Sequence, residues 1–281
     1  MTSVNISKNE NQMPLESVKI ILVEPAGPLN VGSVARVMKN FRLQQLILVN
    51  PQCDHLGAEA RLMAVHASEI LDNAVLVTSL PQALQGCKRA IATTGTIHDW
   101  EAPVETPRAA LPWLLEKSGQ PSALIFGRED RGLSKQELNY AQKFVRIPSS
   151  PEYSSLNLAS AVAVCCYEMG IFVHGGVKRD EGGEGDGWNE GDEGDEGVKG
   201  DKRSSKVELA SLDAVETYYR ELESLLINIG YLYPHTAGSR MEKFRQLYNR
   251  AGLQNRELAM LRGILRQLEW AIEQQKNSKN L

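Results

Sequence analysis

The sequence predicts an α/β domain built on a parallel sheet, followed by a small all-helical module. Two observations carry this. From Val18 to about Val173 short apolar, β-branched runs alternate with helical patterns, the signature of strands buried on both faces with right-handed crossovers. Past residue 207 only helical periodicity remains.

The strand-like runs are Val18–Val23, Gln45–Val49, Ala74–Val77, Arg89–Thr94, Ala123–Phe126 and Phe144–Ile147. Helical patterns fill the intervals at about 31–41, 57–71, 79–86, 107–117 and 134–142, and a final apolar helix over about 155–173 closes the domain at 177. Residues 1–17 are polar and mixed in charge, and read as a flexible extension without a secretory or transit signal. Residues 178–206 hold 8 glycines, 10 acids and 6 bases in 29 positions. Such a segment buries too little apolar surface to offset its ordering entropy, so a disordered linker is expected. Residues 207–281 form the second module. Leu222, Leu225, Leu226 and Ile229 recur at helical spacing over 208–230, as do Leu247, Leu258, Leu261, Leu265 and Leu268 over 237–275.

The chain has 31 basic and 35 acidic residues, a net charge of −4. Without the linker the count is 25 of each, so an acidic insert masks a neutral body. The most apolar stretch, Leu158–Tyr167, is too short to span a bilayer, which needs about 20 apolar residues. Four cysteines without a CxxC fit a reducing, cytoplasmic compartment, and five histidines without ligand spacing argue against a metal site. Between Ala237 and Gln267 there are 7 bases against 2 acids. Arg240, Lys243, Arg245 and Arg250 are the candidate phosphate contacts there, although a solvated helix face would look the same.

Three glycine-containing segments stand at expected strand ends, where α/β folds bind ligands. The first is Asn30-Val-Gly32-Ser33-Val-Ala-Arg36, in which Asn30 or Ser33 can cap the following helix. The second, Phe126-Gly127-Arg-Glu129-Asp-Arg-Gly132-Leu-Ser134, packs four charges into a loop before a helix capped by Ser134. The third, Pro151-Glu-Tyr-Ser154-Ser155-Leu156-Asn157-Leu-Ala-Ser160-Ala161, delivers polar side chains to an apolar, small-residue helix. Neither GxGxxG nor GxxxxGK[ST] occurs, so dinucleotide and P-loop binding are unsupported.

In this order the three segments resemble the motifs of the SpoU branch of the SPOUT RNA 2′-O-ribose methyltransferases. The tail segments MEKFRQLYNRA and ELAMLRGILRQLE are similar to a C-terminal extension carried by tRNA-modifying members of that family. The resemblance implies a sheet with a deep C-terminal trefoil knot, a homodimer, and S-adenosyl-L-methionine as methyl donor. By motif matching the donor would meet Thr93, Thr94, Gly95, Gly127, Ile147, Ser154, Ser155 and Leu156. Arg36 would be the catalytic arginine, with Asn30, Glu129, Ser154 and Asn157 orienting it and the ribose. The target implied is the ribose of nucleotide 32 in the tRNA anticodon loop. Another tRNA position, ribosomal RNA, or a catalytically silent RNA-binding protein of the same fold are the alternatives.

Overall fold

The structure is a computed structural model and describes residues 15–95, 103–116, 120–150, 152, 155–175 and 208–279. The linker at 178–206 and residues 1–14 lie outside these. Of the N-terminal extension, Leu15–Ser17 form a 3-10 turn whose Leu15 is buried in the core, so the domain begins before Val18.

Seven strands form one sheet, β1 (Val18–Val23), β2 (Gln45–Val49), β3 (Val75–Val77), β4 (Arg89–Thr93), β5 (Val104–Glu105), β6 (Ser122–Phe126) and β7 (Lys143–Val145). All pairings are parallel and the order is β3-β2-β1-β6-β4-β7-β5. Because strand side chains alternate, each central strand feeds two cores. Ile20, Leu22, Leu46, Leu48, Leu124 and Phe126 face one, which is closed by the helices α1 (Pro28–Asn40), α2 (Ala58–Ala64), α3 (Ser68–Asp72), α5 (Pro107–Leu115) and α7 (Leu158–Gly175). Ile21, Val23, Ile47, Val49, Ala123 and Ile125 face the other, covered by α4 (Leu80–Ala83) and α6 (Lys135–Leu138).

Several boundaries differ from the sequence pattern. The helix expected over 57–71 is split in two, because Val65 takes a left-handed conformation (φ 53°) between α2 and α3. The first helix begins three residues early: Pro28 occupies the first turn, where its missing N–H costs nothing. Gly27 is therefore the N-cap, and Asn30 and Ser33 lie inside the helix. The helix expected over 134–142 is the single turn α6, closed by a capping box between Ser134 and Glu137. The short edge strand β5 carries only two residues and had no periodicity to betray it.

The second module packs α8 (Leu212–Asn228), α9 (Ala237–Ala251) and α10 (Asn255–Lys279) around Tyr218, Tyr219, Leu222, Leu225, Met241, Leu258 and Leu265. The run expected over 237–275 is broken at Gly252, which adopts φ 65° as a left-handed C-cap. This module docks on the α/β body. Leu212 is buried in the second core and its N–H donates to the Cys87 carbonyl (2.8 Å), while the Asp213 carboxylate accepts from Gly86 N (3.0 Å). From α9, Asn249 Nδ2 donates to the carbonyls of Asn139 (2.9 Å) and Ala141 (3.3 Å).

Candidate active site

The chain leaves β1 toward β2 and β3, while β6 borders β4 on the other side. The carboxyl ends of β1 and β6 therefore flank a switch point, the position at which open α/β sheets hold ligands. The three polar loops read from the sequence all converge there, and one carboxylate joins them. Glu129 Oε1 accepts from Gly27 N (3.0 Å) and Asn30 Nδ2 (2.9 Å), and Oε2 accepts from Ala26 N (3.0 Å). Asn30 Oδ1 in turn accepts from Asn157 Nδ2 (2.8 Å). Asn157 Oδ1 accepts from Ala159 N (2.9 Å) and Ser160 N (3.3 Å), so Asn157 is also the N-cap of α7. An Asn157–Asn30–Glu129 chain thus ties the loop after β7 to α1 and to the loop after β6.

Burial pushes the Glu129 carboxyl up, but the hydrogen bonds from Ala26, Asn30 and Gly27 outweigh it and hold it below the ordinary carboxylate range. Glu129 is accordingly an ionised acceptor rather than a proton donor. Two charges, Arg131 and Glu24, that carry no separate role in the motifs prove structural. Arg131 donates through Nη2 to Glu24 Oε2 (2.9 Å) and through Nη1 to Glu137 Oε2 (2.9 Å), clamping the second loop to the end of β1. The Arg131 hydrogen bond lowers the carboxyl pKa of Glu24, a residue in the left-handed region (φ 50°). That dihedral at a non-glycine strand end has no signature in the residue type.

Gly127 opens the second loop, and a Cβ there would lie 2.2 Å from the Gly132 carbonyl carbon. Only glycine lets the loop double back this tightly. Beside it runs a cleft of about 250 Å³, lined by Thr93, Thr94 and Gly95 after β4, Gly127 after β6, Ile147 after β7, and Ser155 and Leu156 before α7. Phe126, Leu133, Val145 and Leu158 add apolar walls that the motifs alone did not mark. Ser154 lies outside the described residues. Arg36 is exposed on α1, does not line this cleft, and has no ionic partner among the described residues. Seven residues separate it from exposed Leu29, two helical turns along the same face. On α7, Tyr167, Ile171 and Phe172 are likewise exposed and apolar.

The SpoU rRNA methylase family model matches residues 17–167, all three loops included. The chain belongs to the SpoU methylase family. A second model, the C-terminal domain of the tRNA methyltransferase TrmJ, matches residues 213–279. A tRNA (cytidine/uridine/adenosine-2′-O-)-methyltransferase TrmJ of Pseudomonas aeruginosa is 36% identical over 256 residues, covering 89% of this chain and 93% of its own. A tRNA (cytidine/uridine-2′-O-)-methyltransferase TrmJ of Escherichia coli is 35% identical over 266 residues, covering 94% and 99%. Among solved structures, TrmJ from Z. mobilis aligns over 89% of this chain and 98% of its own with a TM-score of 0.73 at 28% identity.

In this SpoU-family methyltransferase the cations of the C-terminal module fall into two groups. Arg240, Lys243 and Arg250 are exposed on α9 and have no ionic partner among the described residues. Arg245 differs from the sequence expectation. Its guanidinium turns inward, pairs bidentately with Glu216 (2.5 and 2.8 Å), and lies over the rings of Tyr219 (4.6 Å) and Tyr140 (5.4 Å). A cation so enclosed holds the module together and is withdrawn from any phosphate. The seven-base count could not separate it from its neighbours, because the pairing acid lies on another helix, 29 residues away.

No helix among the described residues is long and apolar enough to cross a membrane.

Proposed function

We propose that the protein methylates tRNA, transferring the methyl group of S-adenosyl-L-methionine to the ribose 2′-hydroxyl of a pyrimidine at position 32 of the anticodon loop. The observation that carries this reading is a conjunction: three loops joined through Glu129 beside a glycine-lined cleft, in one chain with a TrmJ-type C-terminal module. The module favours tRNA over ribosomal RNA as substrate, since the three loops are common to the family. The pyrimidine target is supported by the E. coli relative, named for cytidine and uridine, whereas the P. aeruginosa relative is named for adenosine as well.

The cleft fits the donor. Its lining combines Gly95, Gly127 and the hydroxyl side chains of Thr93, Thr94 and Ser155 with the charged loop Arg128–Arg131, while Gly127 lets the loop backbone fold inward and Leu133, Val145 and Leu158 offer apolar surface for a planar base. When bound, S-adenosyl-L-methionine supplies a methyl group on a positively charged sulfur. Thr93, Thr94, Gly95, Gly127, Ile147, Ser155 and Leu156 would hold it, together with Ser154 from the adjoining loop. Arg36, without an ionic partner among the described residues, has a guanidinium suited to binding the phosphate beside the target ribose and to stabilising charge that develops on its oxygen. Its planar fork of N–H donors suits positioning and electrostatics, and those roles are assigned to it. Asn30, Glu129 and Asn157 act through α1, fixing the end of the helix that carries Arg36.

Arg36 stands outside the cleft of its own chain, which is one reason to include a homodimer in this reading. The exposed apolar side chains of α7 and Leu29 supply a surface for such pairing. A trefoil knot belongs to this reading as well, and the sheet order, in which late β7 sits between β4 and β5, is in keeping with it.

The test is methyl transfer from S-adenosyl-L-methionine to unmodified tRNA in vitro, with the product nucleoside mapped by mass spectrometry. A 2′-O-methylpyrimidine at position 32 is expected. Base methylation, or modification confined to ribosomal RNA, would overturn the assignment.

A further inference from the structure

The loop between α8 and α9 exposes aromatic rings that neither core uses. Tyr231 and Tyr233 are 55% and 59% exposed, whereas Leu232 between them is buried in the module's core. This alternation directs both rings away from the core. The Tyr233 and His235 rings stack on one another, with centroids 6.0 Å apart and planes 25° from parallel. Arg240 follows one turn into α9, exposed and without an ionic partner among the described residues, and Lys243 and Arg250 continue the same cationic helix.

Exposed rings cost free energy in water, and a phenol oxygen here needs no protein partner because solvent reaches it. Rings beside unpaired cations have a specific complement: bases with free π-faces joined by phosphates. We propose that Tyr231, Tyr233 and His235 form a stacking platform for unpaired bases of the tRNA, with Arg240 contacting the adjacent phosphate. This rests on the tRNA reading above and deepens it by adding a base-contacting surface to a module so far credited only with phosphates.

The platform stands apart from the module's anchor on the body. The amino-terminal end of α8 is pinned to the body at Gly86 and Cys87. Its 17 residues carry the loop about 25 Å from that anchor at 1.5 Å per residue. The rings therefore meet RNA well away from the α8 anchor.

The test uses the full chain and tRNA bearing 2-aminopurine in place of one loop base at a time, since stacking on an aromatic ring quenches this probe. A single-stranded oligoribonucleotide with the same probe is titrated in parallel. Wild-type protein should quench the probe in at least one tRNA loop and in the oligonucleotide. Tyr233→Ala should abolish that quenching and weaken tRNA binding by roughly 5- to 100-fold, with unchanged Tm. Tyr233→Phe should retain both, and Tyr231→Ala should produce a smaller loss. The platform is overturned if Tyr233→Ala quenches and binds as wild type, or if its effect is to dissociate a dimer in sedimentation, which would make the rings a protein interface. Quenching of the oligonucleotide without any tRNA binding would sink the tRNA reading but leave the platform. Full methylation of tRNA with no quenching at any loop would do the reverse.

Discussion

The loops at the switch point and the surface of α9 both concentrate polar residues, yet they spend them differently. At the switch point Glu129, Asn30 and Asn157 direct their hydrogen-bonding groups to other loops, and Arg131 is consumed by Glu24 and Glu137. Arg36 is left with its charge uncommitted. On α9 the proportion reverses: Arg245 is consumed, while Arg240, Lys243 and Arg250 have no ionic partner among the described residues. A chemical centre needs a rigid frame around one active group, whereas an RNA-gripping face needs many groups and little frame. What marks a functional cation in either region is therefore the lack of a partner, not its place in a motif.

Replacing the two arginines that the comparison sets apart gives the largest effects. Arg36→Ala should lower the methyl-transfer rate by about 10²- to 10³-fold, the range for loss of one preorganised charge-stabilising donor. Thermal unfolding and S-adenosyl-L-methionine binding, followed by calorimetry, should stay at wild-type values because Arg36 is exposed and has no ionic partner among the described residues. Retention of most of the single-turnover rate by Arg36→Lys at saturating tRNA would count against any role for guanidinium geometry. Arg245→Ala should do the opposite. It strands Glu216, 15% exposed like its partner, and breaking such an enclosed pair costs about 3–5 kcal/mol. The Tm should fall steeply, with tRNA binding lost only as the module unfolds.

Breaking the frame itself is the intermediate case. Glu129→Gln keeps the shape but turns an amide N–H toward donors that now lack an acceptor, costing roughly 1–3 kcal/mol. The pH dependence gives the sign independently. Glu129 titrates lower in the folded chain than in the unfolded one, so its stabilisation is complete above the unfolded carboxyl pKa. That contribution disappears as pH falls through the folded value. The stability gap between wild type and Glu129→Gln should accordingly be widest near neutrality and close in acid, as read from denaturant midpoints.

The same contrast explains what the sequence could convey. The parallel sheet was legible because doubly buried strands leave apolar runs such as VKIILV and ALIF, and a two-residue edge strand like β5 leaves none. Convergence of the three polar loops followed from their position at strand ends, and the residues assigned to the donor line one cleft wherever they are described. The roles inside those loops were less visible. Asn30 reads as a helix cap, yet Pro28 starts the helix earlier and frees its amide to bridge Glu129 and Asn157. Arg245 looks like a binding residue, and Arg131 has no assigned role, until their distant acids are seen, because pairings 29 and 107 residues apart have no local pattern.

The smallest effect tests the free side of the comparison. Arg250→Ala removes an exposed charge without an ionic partner among the described residues and should leave the unfolding free energy within about 0.5 kcal/mol of wild type. If its guanidinium meets a phosphate, one fewer counterion is released on binding, and the slope of log K against log salt should become shallower by about 0.7–0.9. The loss of tRNA affinity should then be a few-fold at physiological salt, larger at low salt, and equal for tRNAs of different sequence, since a phosphate contact reads no base. Arg245→Ala, measured in the temperature range where it remains folded, should leave that slope at the wild-type value. An equal change of slope for both variants would mean that the Glu216 pairing does not withhold Arg245 from the RNA, and the division of the cations into framing and gripping groups would have to be abandoned.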